Sequence, residues 1–265
     1  MNNAIYYDKN YLSYLKELNE SSLMDEGFEK SYSDFDERLE EGDLYGKTVK
    51  VTKNQFRNVY NIISELCNLL DMDYIDAYVY EDFYYGVESK GIKNKHLEIS
   101  AKTIVDFELE ELKFLIAREL FSIKIVGLKN KIIIQEILKS FDMIKIPLAT
   151  DTIKENFKIT SYKYLRSLNY SCDNFGYIVV GELSYTIKAI MKTILNNKYL
   201  VNEINISEYL KQGDKISSLN DDVHIFTKID EQVPYGPDRI KKLLAYAISK
   251  RGLESLKLIK SKGDK

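Results

Sequence analysis

The sequence predicts an α+β protein, mostly helical with a small antiparallel sheet. Three observations predict it. Residues 52–72 form a strongly amphipathic segment, residues 75–100 are rich in Tyr and Val with short alternating runs, and helix-periodic segments recur from Asp106 almost to the end of the chain. With 265 residues, 45% of them hydrophobic, the chain can bury a sizeable core, and one main body is expected.

Residues 1–45 are expected to be an acidic N-terminal extension preceding a domain over 46–265. The stretch MDEGFEKSYSDFDERLEEGD carries little apolar periodicity and reads as short helices or partly ordered chain, an appendage. Between Thr52 and Met72, Phe56, Val59, Ile62, Ile63, Leu66, Leu69 and Leu70 recur at helical spacing, behind a threonine placed to cap the first turn. Ile75 to Ser100, punctuated by two glycines, reads as two or three antiparallel strands.

Asp106 opens the next helix. Glu108, Glu110 and Glu111 crowd its first turns, where carboxylates favour the positive helix end, and Gly127 supplies a stop. Leu112, Leu115, Ile116 and Ile123 form one apolar face and Phe114, Phe121 and Ile125 a second, so the middle of this helix must be covered on most sides. A further helix is expected near Lys131 to Ile144. Another spans SYKYLRSLNYSCDNFGYIVVG (161–181), with Arg166, Asn169 and Asp173 on one polar stripe at three- and four-residue steps. Residues 182–195 are amphipathic again, and a Pro/Gly turn in 233–256 leads into a last helix.

Composition narrows the function classes. A net charge of −3 with 30% charged residues of both signs argues against a nucleic-acid partner, because phosphate recognition needs a clustered basic surface. Cys67 and Cys172 lie far apart in helical segments, which suits buried thiols in a reducing compartment. No N-terminal stretch joins a basic start to an apolar core, and no apolar run approaches the ~20 residues that span a bilayer. A soluble, cytoplasmic protein without a membrane span is expected, in a bacterial-type cell with an AT-rich genome. Nothing in the sequence fixes the oligomeric state.

The chemical question lies in FLIARELFSIKIVG, residues 114–127. A zinc peptidase places His-Glu-x-x-His on one helix, so that two imidazoles four residues apart bind the metal and the Glu activates water. Here Arg118, Glu119, Leu120, Phe121 and Ser122 fill that frame, and only the Glu remains. The surrounding HLEISAKTIVDFELEELKFLIARELFSI resembles the strand, linker and active helix of the HtpX/CAAX prenyl protease family of metallopeptidases. RSLNYSCDNFGY resembles that family's second motif, with Asn169 at the position of the third-ligand Glu and Asp173 matching its Asp. VPYGPDRI resembles a C-terminal HPyxPxRi turn with Val233 in place of the His, and DFYYGVESKG resembles an NAfa.G strand. The similarity runs in consistent order from Thr52 to Leu244.

The resemblance implies a zincin-like, gluzincin-type fold over 46–265 in which Arg118, Ser122 and Asn169 replace all three metal ligands. No zinc and no other cofactor is then expected. His96 and His224 lie outside the motif positions and read as surface or strand-edge residues, and the fixed charge of Arg118 repels a cation. Arg118 or Arg166 is expected to pair with Glu119 or Asp173 and fill the old site with a polar cluster. Ser122 and Cys172 lack a histidine at helical spacing to activate them as nucleophiles.

In the resembling enzymes the substrate lies extended along an edge strand, held by main-chain hydrogen bonds, a mode that needs no metal. A peptide-binding cleft is accordingly expected to involve Phe83, Tyr84, Tyr85, Arg118 and Arg166. The leading expectation is a catalytically inactive, zinc-free metallopeptidase homologue that binds a peptide or protein partner. One alternative is an enzyme with Glu119 as general acid or base and Arg118 as electrostatic stabiliser; the other is a peptidase with a non-standard metal site.

Overall fold

The computed structural model describes residues 3–24, 26–143, 149–219 and 231–263. His224 and Ile144 lie outside the described residues. The elements in chain order begin with α1 (Tyr11–Asn19), α2 (Glu26–Ser31), α3 (Glu37–Lys47), β1 (Val49–Lys50) and α4 (Arg57–Leu70). Strands β2 (Asp76–Tyr80), β3 (Val87–Lys90) and β4 (His96–Ser100) follow, then α5 (Ala101–Asp106), α6 (Leu109–Lys124), α7 (Gly127–Met143) and α8 (Ala149–Val180). The remaining helices are α9 (Leu183–Leu195), α10 (Ile206–Ser218), α11 (Gly236–Ala247) and α12 (Lys250–Gly263). The chain is thus mostly helical with one small sheet, an α+β architecture. Among the described residues no helix is long and apolar enough to cross a membrane.

The sheet is mixed, not antiparallel. Its strand order is β1-β2-β4-β3, with β1 antiparallel to β2, β4 parallel to β2 and β3 antiparallel to β4. The chain leaves β2 for the far edge, and β4 returns between them. Side chains alternate with period two in either pairing, so the sequence pattern carries no sign of direction. The consequence for the site is that β3 forms one edge of the sheet.

The α4 helix buries Val59, Ile62, Ile63, Leu66, Cys67 and Leu70, the face its spacing predicts. It starts later than expected. Thr52 closes a tight turn with Gln55, each N–H donating to the other's carbonyl at 3.0 and 3.2 Å, and Phe56 precedes the helix in the left-handed conformation.

Helix α6 sits at the centre, packed against α4, α7, α8, α9 and β3. It is covered on both apolar faces, with Phe114, Ile116, Ala117, Leu120 and Phe121 all fully buried. It begins one residue after Glu108, whose N–H donates to the Glu111 carboxylate at 2.8 Å, and it ends at Lys124. Gly127 is not its stop. Val126 takes the left-handed turn at φ 64°, and Gly127 opens α7, where a Cβ would stand 2.5 Å from Leu168 Cδ1. Gly127 is needed for close approach to α8. Gly176 on α8 has the same role, because a Cβ there would fall 2.6 Å from the buried Phe114 ring.

The N-terminal 45 residues divide into two parts. Tyr6, Tyr11 and Leu18 are among the most buried side chains in the protein. Tyr6 packs edge-on against Phe121 and Phe175, whose rings stack at 4.5 Å across the α6–α8 crossing. Asn174 Nδ2 donates to the Tyr6 carbonyl, and the Asp8 N–H donates to Ser171 Oγ. By contrast α3 is largely exposed, held chiefly by Glu37, which accepts N–H groups of Ile92, Lys93 and Asn94 at the β3–β4 turn.

Candidate functional site

The α6–α8 crossing brings the two polar stripes together. Arg118, Glu119 and Ser122 lie on α6, and Asn169, Cys172 and Asp173 lie one turn apart on α8. Close approach of α6 and α8 is possible because Gly176 carries no side chain at the contact, and Gly127 does the same for α7 against α8.

Asp173 is the hub, with a side chain only 1% exposed. Arg239, from the VPYGPDRI stretch at the start of α11, grips it bidentately: Nε donates to Oδ2 at 3.0 Å and Nη2 to Oδ1 at 2.9 Å. Arg118 Nε stands 2.6 Å from Asp173 Oδ1, a close ion pair whose N–H is not aligned as a hydrogen bond. Arg118 Nη2 donates to Asn169 Oδ1 at 3.0 Å. Burial alone would raise the Asp173 carboxyl, but Arg239 and then Arg118 outweigh it and hold it below the ordinary aspartate value. Burial would lower Arg118, and here Asp173 and Glu119 outweigh it and hold the guanidinium charged.

Glu119 is engaged elsewhere. Its Oε2 accepts hydrogen bonds from Ser89 N at 3.0 Å and Ser89 Oγ at 2.7 Å, which ties α6 to the edge strand β3. Since the Ser100 N–H donates to the carbonyl of Gly86, alternation along β3 directs Ser89 outward, and Glu119 occupies that outward N–H.

A cavity of about 100 Å³ opens beside this cluster, lined among others by Arg118, Glu119, Ser122, Lys131, Asn169 and Cys172. The Cys172 thiol is pushed well up by burial, so it carries little thiolate character. Cys67 and Cys172 are both free and buried. A second cavity of about 260 Å³ runs along β3 between Ser89 and α7, and Lys131 lines both.

Other residues singled out in the sequence lie apart. Arg166 does not reach Asp173; its Nη1 donates to the Glu231 carbonyl at 2.5 Å, and it lines a different cavity with Tyr170 and Tyr235. Phe83 and Tyr84 are 84% and 67% exposed and do not line the Arg118 cavity. Their loop is drawn to α5 and α9 by Asn196, which bonds the Tyr85 N–H and the Phe83 carbonyl, and by Lys102 on the same carbonyl. Tyr85 is buried, its hydroxyl donating to Asp106 at 2.7 Å. His96 is not a surface residue: it is 9% exposed at the start of β4, next to Glu98.

Two participants escaped sequence reasoning. Arg239 is 66 residues from Asp173, and no periodicity links them. Lys131 stands on α7, at a separation that only the fold closes. Neither protein-family models nor curated proteins give a match to this chain.

Proposed function

We propose that this chain is a peptide- or protein-binding module, a catalytically inactive relative of HtpX/CAAX-type zinc peptidases with a zincin-like fold, working in a cytoplasm. The reading rests on the ordered resemblance of four sequence stretches together with one structural observation: Arg118 pairs with Asp173 at 2.6 Å in the space between the two central helices. The residues there do not fit a zinc ion. Arg118, Ser122 and Asn169 offer no imidazole, thiolate or carboxylate, and a buried guanidinium opposes a cation. Among the described residues no three His, Cys, Asp or Glu side chains are grouped to hold a metal.

What supports binding is the position of β3. It is a sheet edge, it lies against α6, and a 260 Å³ cavity runs beside it, the setting in which an extended peptide adds as a further strand. The reading with Glu119 as a metal-independent catalyst draws less support, because its Oε2 is held by Ser89 and Arg118 by Asp173. The test is to dialyse the purified chain against zinc, then probe it with a library of fluorescent extended peptides while following amide exchange. The expected result is no retained stoichiometric zinc, no cleavage, and slowed exchange at Val87, the outward N–H of β3 that Glu119 leaves open, with bound peptides. Stoichiometric zinc, peptide turnover or absence of any binding would overturn it.

A further inference from the structure

Charge at the α6–α8 crossing does not cancel. Arg118, Arg239 and, from α7, Lys131 supply three cations, whereas Asp173 and Glu119 supply two carboxylates; Glu40, Glu88 and Glu136 line only the longer cavity that Lys131 also faces. Arg239 places Nε and Nη2 on Asp173 and does not line the cavity. Lys131 has no ion-pair partner among the described residues, is only partly exposed, and faces the cavity that Arg118 also lines. Arg118 uses Nε and Nη2 on Asp173 and Asn169, and its Nη1 makes no hydrogen bond among the described residues. The Ser122 hydroxyl adds a neutral donor to the same walls.

We propose that this 100 Å³ cavity is a carboxylate pocket, in which Lys131, Arg118 and Ser122 receive one anionic group of a peptide lying along β3. The volume is ample for a carboxylate, and the shared Lys131 joins the pocket to the longer cavity at the strand edge. The carboxylate comes either from an Asp or Glu side chain or from a chain terminus. Both present the same planar pair of oxygens to a guanidinium and an ammonium. The assignment rests on the peptide-binding reading above and adds the ligand class.

The experiment uses the full chain and three fluorescent decapeptide libraries: a free C-terminus without acidic residues, an amidated C-terminus with Asp and Glu, and an amidated C-terminus with neither. At least one of the first two should bind roughly tenfold more tightly than the third, and Lys131→Gln should erase that difference while the variant keeps its melting temperature. Which of the two gains tells side chain from terminus. Equal binding of all three libraries, or a preference that survives Lys131→Gln, overturns the carboxylate pocket and leaves peptide binding standing. No binding in any arm overturns both.

Discussion

Helix α6 carries buried charge at two places, and they are built differently. Near its N-terminus Glu111, fully buried, meets Lys192 at 2.5 Å; the ammonium also donates to the Asp106 carbonyl at 2.9 Å and stands over the Phe107 ring at 5.0 Å. One anion meets one cation, and Glu111 also accepts the Glu108 N–H that begins the helix. Two turns on, Asp173 is shared by Arg118 and Arg239, Glu119 is turned to β3, and Lys131 looks into a cavity. At the first place the charge is closed within the fold; at the second a lysine faces a cavity with no ion-pair partner among the described residues. A matched pair is explained by its partner; an unmatched cation in a cavity asks for one.

The largest expected effect comes from breaking the shared hub. Asp173→Asn leaves two buried guanidinium groups facing a neutral amide and should cost about 3–5 kcal/mol in urea unfolding. A cost below ~1 kcal/mol would show the hub to be loosely made and would blur the contrast with Glu111.

A smaller effect should appear in acid. The Asp173 carboxyl is held below its ordinary value of 3.8 in the folded protein, so the folded state binds this proton less readily than the unfolded chain. Its contribution is complete above pH 3.8 and is lost as pH falls through the lower folded value. The unfolding free energy of the native chain should therefore drop faster than that of Asp173→Asn below that pH. Parallel curves would remove Asp173 from the account.

The parts of this molecule that were legible in the sequence are those governed by local periodicity. The α4 face, the doubly apolar α6 and the Asn169–Asp173 stripe on α8 all follow from 3.6-residue spacing. The packing of α1 was equally available, since Tyr11, Tyr14, Leu15 and Leu18 fall at helical steps, but the acidic run after it dominates the composition of the first 45 residues. Illegible were the features set by chain crossing. The β2–β4 pairing is parallel because β4 inserts between earlier strands, and Arg239 reaches Asp173 only because α11 packs on α8. The loop of Phe83 and Tyr84 is likewise placed by Asn196, more than a hundred residues on, which sets those rings apart from the cavity that Arg118 lines.

The most direct measurement compares two lysines by the same substitution. Lys192→Gln and Lys131→Gln are each unfolded in urea without any ligand. Lys192→Gln strands the buried Glu111 carboxylate and should cost about 3 kcal/mol or more. Lys131→Gln removes a charge with no ion-pair partner among the described residues and should stay within about 0.5 kcal/mol of the native chain, or stabilise it. Equal losses at the two positions would contradict the claim that charge at the α6–α8 crossing is held in reserve for a partner.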